Sequence, residues 1–199
     1  MKKILCLLAV VTCLFFASVC FSATTEELVK MLETRAVNGD VDAQDLLGYA
    51  YDAGRGLKQD YIKAFEWREK AAEQGDAIAQ LYIADMYYKG KGVKQDYTKA
   101  FEWLEKAAKQ GDVIAQLYVA DMYYKGYGVK QDYAKAAEWL EKSAEQGDAI
   151  SQFSLGWMYA NGEGVNQDYA KAKGWYKQAC DNGDQRGCDQ YKHLNDQGY

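Results

Sequence analysis

The chain has 199 residues, 49% of them apolar and 27% charged, with a formal net charge of −5. That length suits one modest domain together with a targeting segment. The mildly acidic balance argues against nucleic acid or anionic lipid as partner, because both are held by basic stripes that displace counterions.

The chain opens Met1-Lys2-Lys3, and from Ile4 to Phe21 it is apolar, small or cysteine before turning polar at Thr24-Thr25-Glu26-Glu27. A short basic start, an apolar core and small residues at Ser22-Ala23 form the pattern of a secretory signal peptide over residues 1–23, with cleavage after Ser22 or Ala23. The competing reading is an uncleaved anchor, since 18 residues approach the length that crosses a bilayer. The stretch Ala17-Ser18-Val19-Cys20 lacks the usual leucine and small residue of a lipoprotein signal. No second long apolar run is present, so the mature part is expected to leave the membrane. Losing Lys2 and Lys3 takes the formal charge from −5 to −7. It also leaves Cys180 and Cys188 as the mature cysteines, and two cysteines in an exported protein suggest one disulfide.

Residues 24–38 read as one amphipathic capping helix, with Leu28, Leu32 and Val37 available to cover the next helices of the chain. Thr24 and Glu27 stand at capping-box spacing. Beyond it, Gly-Asp recurs at Gly39-Asp40, Gly75-Asp76, Gly111-Asp112, Gly147-Asp148 and Gly183-Asp184, every 36 residues. The same offset links Tyr51, Tyr87, Tyr123 and Tyr159, and also Trp67, Trp103, Trp139 and Trp175. Self-similarity at such a period marks a stacked repeat, with copies at about 43–78, 79–114, 115–150 and 151–186 and a partial fifth copy or cap over 187–199.

Each copy reads as two helices. In the second, Ala79, Ile83 and Tyr87 form one stripe at four-residue spacing. Gly90-Lys91-Gly92 then ends the helix through a left-handed glycine. Asp96 is placed to cap the next helix, which carries Tyr97, Ala100, Trp103, Leu104 and Ala107 on its apolar face. The chain contains no proline to break these helices. Gly48, Ala84, Ala120 and Gly156 share one repeat position and should let helices approach closely. The tyrosines and tryptophans are expected to fill the space between layers. The fold class is all-α, a right-handed α/α solenoid in which each helix pair packs on its neighbours.

The unit Ala-Gln-x-x-Leu-Gly-x-x-Tyr, Gly-x-Gly-Val, Asp-Tyr-x-Lys-Ala-x-x-Trp, Lys-Ala-Ala-x-x-Gly-Asp resembles the Sel1-like repeat, a relative of the tetratricopeptide repeat, from Asp42 to about Arg186. Repeats two and three depart from it with Ile83-Ala84 and Val119-Ala120 in place of Leu-Gly, which should slightly widen the helix contact. Cys180 and Cys188 resemble the paired cysteines of the cysteine-rich branch of this family. That likeness implies a structural bridge between adjacent helices across the Gly183 turn, the alternative being two free thiols.

Candidates for chemistry are few. His193 is the single histidine, so a histidine-based metal or catalytic cluster is not expected, and neither is a cofactor. The Gly-x-Gly turns lack a third glycine and come after helices, unlike phosphate-binding loops. The cysteine-rich branch implies, as an alternative, a β-lactamase-like or cell-wall-acting enzyme. Such a serine enzyme needs Ser-x-x-Lys and Lys-Thr-Gly, and Ser143, Ser151 and Ser154 have no lysine three residues on. The expectation is therefore a non-enzymatic scaffold in the periplasm or outside the cell that binds another protein or peptide segment. By analogy with related repeats its site is a concave face of first-helix residues: Leu81, Asp85, Tyr88, Leu117, Asp121, Tyr124 and Trp157. Phe153, in the same rows, is expected to be buried.

Overall fold

The computed structural model describes residues 25–199, and the expected signal peptide lies outside them. Among the described residues there are ten helices and no strand: α1 (Thr25–Val37), α2 (Val41–Ala53), α3 (Tyr61–Glu73), α4 (Ala77–Lys89), α5 (Tyr97–Lys109), α6 (Val113–Lys125), α7 (Tyr133–Glu145), α8 (Ala149–Asn161), α9 (Tyr169–Asp181) and α10 (Gln185–Asp196). Even-numbered helices are the first of each pair and odd-numbered ones the second. Every helix packs on its chain neighbours, so the array is a two-layered α/α solenoid. None of these helices is long and apolar enough to cross a membrane.

Aspartate starts every helix from α2 onward. Asp40, Asp76, Asp112 and Asp148 each accept from a backbone N–H of the following first helix, and Asp60, Asp96, Asp132 and Asp168 do the same for the second helices. Each such cap stabilises by about 1 kcal/mol. First helices end at Gly54, Gly90, Gly126 and Gly162, all left-handed. At the second glycine of the first turn, Gly56, a Cβ would meet only the Thr25 and Val29 side chains, but in the later turns the cause is different: on Gly92 it would lie 2.1 Å from the Tyr61 carbonyl oxygen of the preceding repeat. The turn rests directly on backbone that cannot yield.

Small residues dominate the interior. Ala64, Ala71, Ala72, Ala79, Ala84, Ala100, Ala107 and Ala108 are all buried among Ile83, Val119, Leu104 and Leu140. The tryptophans pack against the core, but they fill the space between layers only in part. Trp67, Trp103 and Trp139 are half-buried, and the ammonium of the lysine one turn on lies 3.9, 3.7 and 3.9 Å from the ring centres. The lysine stems shield the rings while their charges stay wet. The inner aromatic position belongs to tyrosine: Tyr87 and Tyr123 are buried edge-on to Phe65 and Phe101, with centroids 5.3 and 5.1 Å apart.

Gly48, Ala84, Ala120 and Gly156 face Arg68, Leu104, Leu140 and Tyr176 in turn, and volume is exchanged across each pair. Where the first helix carries alanine the second carries leucine. Where it carries glycine the partner is larger: a Cβ on Gly48 would lie 2.5 Å from Arg68 Cγ, and one on Gly156 2.8 Å from Tyr176 Cδ1. In repeats two and three leucine takes the room that alanine leaves, and Ala84, Ala120, Leu104 and Leu140 are all buried.

Polar residues join the repeats. Gln80 Nε2 donates to Ala72 O at 3.1 Å, while Gln110 Nε2 donates to Gln80 Oε1 at 2.9 Å and to Gly75 O at 3.0 Å. The same amide relay recurs through Gln44 and Gln74, and through Gln116 and Gln146. At the last junction Asn182 bonds Gln152, a disulfide joins Cys180 to Cys188, and Gly187 lets α10 press against Ala179 and the α9 backbone. In α1, Ala36 is buried and Leu32 packs on Ala43 and Leu47. Val37 is instead 72% exposed and does not cover the first repeat.

Candidate binding clefts on the first-helix face

Counting from the second residue of each first helix, steps of four, seven and eleven return to one helical face, and here that face is the outermost. On α6 these residues are Ile114, Tyr118, Asp121 and Lys125, a ridge whose first two members are about half exposed. A cleft lies on each side of this ridge.

The first cleft, of about 450 Å³, runs between α4 and α6 and is lined by Leu81, Ala84, Asp85, Tyr88, Leu104, Tyr118 and Asp121, among others. The second, of about 380 Å³, runs between α6 and α8 and is lined by Leu117, Ala120, Asp121, Tyr124, Leu140, Phe153 and Trp157, among others. The walls of each are largely one set of residues displaced by a repeat. The difference is that Tyr118 and Asp121 on the far side of the first become Ser154 and Trp157 in the second. Asp121 and Lys125 border both.

All seven residues expected to form the site thus stand in two clefts. Leu81, Asp85 and Tyr88 line the first, Leu117, Tyr124 and Trp157 the second, and Asp121 the divide. Phe153 is half-buried in a cleft wall with the Arg186 guanidinium 4.4 Å from its ring centre. Tyr88 and Tyr124 also hold the array together. Tyr88 packs on Tyr97 at 5.1 Å, and Tyr124 packs on Tyr133 at 5.0 Å while its hydroxyl donates to Glu163 at 2.9 Å. Burial raises the Tyr88 phenol above its ordinary value; burial and then the hydrogen bond to Glu163 raise that of Tyr124. Truncating either side chain would remove these packing contacts.

The sequence reading missed the floors. Leu104 and Leu140 rise from the second helices between the walls, and they share the 36-residue offset of the tryptophans beside them. It also missed the rim lysines. Lys89 bonds Asp85, and Lys125 bonds Asp121, each at 2.9 Å one helical turn away. These pairs hold both ammonium groups above their ordinary values.

The floor changes at either end of the array. In repeat one the leucine position is Arg68, only 1% exposed, which bonds Asp52 at 3.1 Å and lies under the Tyr82 ring at 4.1 Å. Burial pushes the Asp45 carboxyl up, partly offset by Arg68. In Asp52 burial also acts upward, but hydrogen bonds from Lys91 and Arg68 outweigh it and leave the carboxyl below its ordinary value. In repeat four the floor is the buried Tyr176.

Among the described residues no cluster of three or more histidine, cysteine, aspartate or glutamate residues is placed to hold a metal ion. The serines weighed as nucleophiles have structural partners. Ser151 Oγ donates to Ser143 Oγ at 2.8 Å and Ser143 Oγ donates to Val113 O at 3.2 Å, both residues being fully buried. Ser154 Oγ donates to Ile150 O within its own helix.

The Sel1 repeat model matches residues 41–76, 77–112, 113–148 and 149–184. The chain is similar to c5321, a protective antigen present in uropathogenic Escherichia coli strains displaying an SLR fold, with 32% identity and a TM-score of 0.87 over 99% of this chain and 42% of that one. It is also similar to a Sel1 repeat protein from Oxalobacter formigenes, at 32% identity and TM-score 0.73 over 82% of this chain and 66% of the other. Cysteine rich protein B of Helicobacter pylori is 26% identical with a TM-score of 0.52 over 67% of this chain and 96% of its own. The chain therefore spans less than half the length of the first and about two thirds of the second. No curated protein matches it in sequence. Four matched repeats and these solenoid neighbours establish that the chain belongs to the Sel1 repeat family.

Proposed function

We infer that the protein is an exported, non-enzymatic scaffold that holds a segment of another protein against the face built by its first helices. The observation that carries this reading is the pair of adjacent apolar clefts between α4, α6 and α8, rimmed by charges that already neutralise one another. Such a surface suits apolar side chains framed by polar main chain, the usual composition of a segment held in a groove. Export is supported by the basic and apolar opening from Met1 to Phe21 and by the Cys180–Cys188 bridge, which belongs to an oxidising compartment.

The test is photo-crosslinking in living cells from a probe at position 118, on the ridge, against a control at Glu102, exposed on α5. A discrete adduct from position 118 and none from position 102 is expected. Equal labelling from both, or none from either, refutes the groove. Mass spectrometry of the protein purified from the cell envelope should show a chain beginning at Ala23 or Thr24; retention of residues 1–22 refutes cleavage.

A further inference from the structure

We propose that the Cys180–Cys188 bridge is a redox-operated latch: when an external dithiol reduces it, the last helix, α10, leaves α9 while the four repeats stay folded.

The bridge stands in the place of an amide joint. Gln44, Gln80, Gln116 and Gln152 each donate to a backbone carbonyl eight residues back, at Ala36, Ala72, Ala108 and Ala144, over 3.1, 3.1, 3.2 and 2.9 Å. One repeat further on, the same two positions are Cys188 and Cys180, and the disulfide joins them across the same eight residues. The earlier joints are indifferent to redox conditions and the last is not. A neighbouring position has changed with it. Ala43, Ala79 and Ala115 give way to Gly187, where a Cβ would stand 2.7 Å from Ala179 Cβ and 2.8 Å from the Tyr176 carbonyl oxygen. Glycine thus seats α10 closer to α9 than alanine would permit, which suits the short reach of two cysteines. The thiols left by reduction are weak donors and do not replace the amide.

Little else holds α10. It buries Gly187 and Leu194, where α4 and α6 each bury six residues. The positions of Ala84 and Tyr87 in α4 are taken in α10 by Lys192 and Asn195, both exposed. Its other ties lie at the surface. Arg186 covers the Phe153 ring at 4.4 Å, Tyr199 packs on Tyr169 at 4.3 Å, and the Lys173 ammonium donates to the Tyr199 carbonyl. Cys180 and Cys188 are only half-buried, whereas Gln80, Gln116 and Gln152 are buried, so the sulfurs are open to a reductant.

Opening is thiol–disulfide exchange. One thiolate of the dithiol attacks either sulfur and forms a mixed disulfide, and its second thiolate then releases the protein. The reductant ends as a disulfide, having passed two electrons to the bridge. Cys180 and Cys188 end as thiols, with the two protons the dithiol gave up. Closing a loop of eight residues disfavours the undocked helix by roughly 30- to 150-fold, and reduction removes that factor. Release takes Leu194 out of its cluster with Ala172 and Tyr176, and lifts Arg186 off Phe153 in the wall of the second cleft.

The experiment is subtilisin digestion of the full-length folded protein, oxidised or in excess dithiothreitol, followed by intact mass. Alkylation should show complete reduction without denaturant. The first cut within 185–196 should accelerate roughly 30- to 150-fold. A shortened chain should accumulate that keeps the helical circular dichroism of the four repeats. Cys180→Ala with Gly187→Ala and Cys188→Gln rebuilds the joint of the other repeats, and its digestion should be slower than that of the reduced parent and unmoved by dithiothreitol. A bridge that resists dithiothreitol until urea unfolds the whole chain overturns the proposal. So do cuts throughout the array with no accumulating product, since α10 then does not leave alone. A rebuilt joint digested as fast as the reduced parent overturns the equivalence of bridge and amide.

Discussion

Replacing Gly156 by alanine measures the volume exchange between paired helices. The new methyl would stand 2.8 and 2.9 Å from Tyr176 Cδ1 and Cε1, and 3.2 Å from the Ala172 carbonyl oxygen. The ring has little freedom to retreat, being buried and packed on Phe153 at 5.6 Å. Overpacking of this kind costs about 1–3 kcal/mol, and the gain in helix propensity from glycine to alanine returns about 1 kcal/mol. The single variant should therefore lose up to about 2 kcal/mol. Tyr176→Leu alone opens a void above Gly156 and should lose about 2–3 kcal/mol, in the range of large-to-small core changes. The double variant recreates the Ala84–Leu104 and Ala120–Leu140 pairs and should be more stable than either single one. The assay is urea unfolding monitored by circular dichroism, with the slopes compared first because a repeat array can unfold in parts. Strict additivity of the two changes, or a double variant less stable than either single one, refutes the complementarity.

Gln80→Ala removes the donor to Ala72 O and the acceptor for Gln110 at a buried junction. It should lower stability by about 2–3 kcal/mol, and a loss below about 0.5 kcal/mol in the same unfolding assay contradicts the relay. Burial pushes the Tyr176 phenol from 10.0 up to about 12. A folded value above the unfolded one means its contribution is intact below pH 10 and is lost as the pH rises through about 12. Tyr176→Phe should flatten the alkaline decline in stability over that window, and equal slopes in both proteins refute the assignment. Reducing the Cys180–Cys188 bridge, which spans eight residues, should cost about 2–3 kcal/mol by freeing the unfolded chain. Mass spectrometry of the unreduced protein should show the crosslink, and alkylation of both thiols without reduction refutes it.

The fold was legible because Gly-Asp, tyrosine and tryptophan recur in one phase, and a period of that length admits few architectures. The glutamine relay recurs at the same offset through Gln44, Gln80, Gln116 and Gln152. It escaped notice because a polar residue within a helix reads as surface until its carbonyl partner is known. The half-exposure of Trp67, Trp103 and Trp139 depends on lysines that cover their outer faces, a contact hydrophobicity alone does not encode. Arg68 opposite Gly48 is opaque when positions are read singly, since each makes sense only as the volume left by the other. For the clefts, rows taken from first helices identified walls. Their floors come from the other layer, and the double duty of Tyr88 and Tyr124 emerges only once the neighbouring repeat supplies Tyr127 and Glu163.

The side-chain amides that cross between repeats reach back by 8 and 35 residues, from Gln80 to Ala72 and from Gln110 to Gly75, each time to the unit just before. Excising 77–112 would seat Gln116 on Ala72 and Gln146 on Gly75, so the amide joints stay occupied, whereas Tyr127 would stand where Lys91 now bonds Asp52. As far as these amides are concerned, a whole unit can thus enter or leave the gene without a compensating substitution. The length of the array then grows in steps of one helix pair, a ruler whose graduations are set by inheritance and not by redesign.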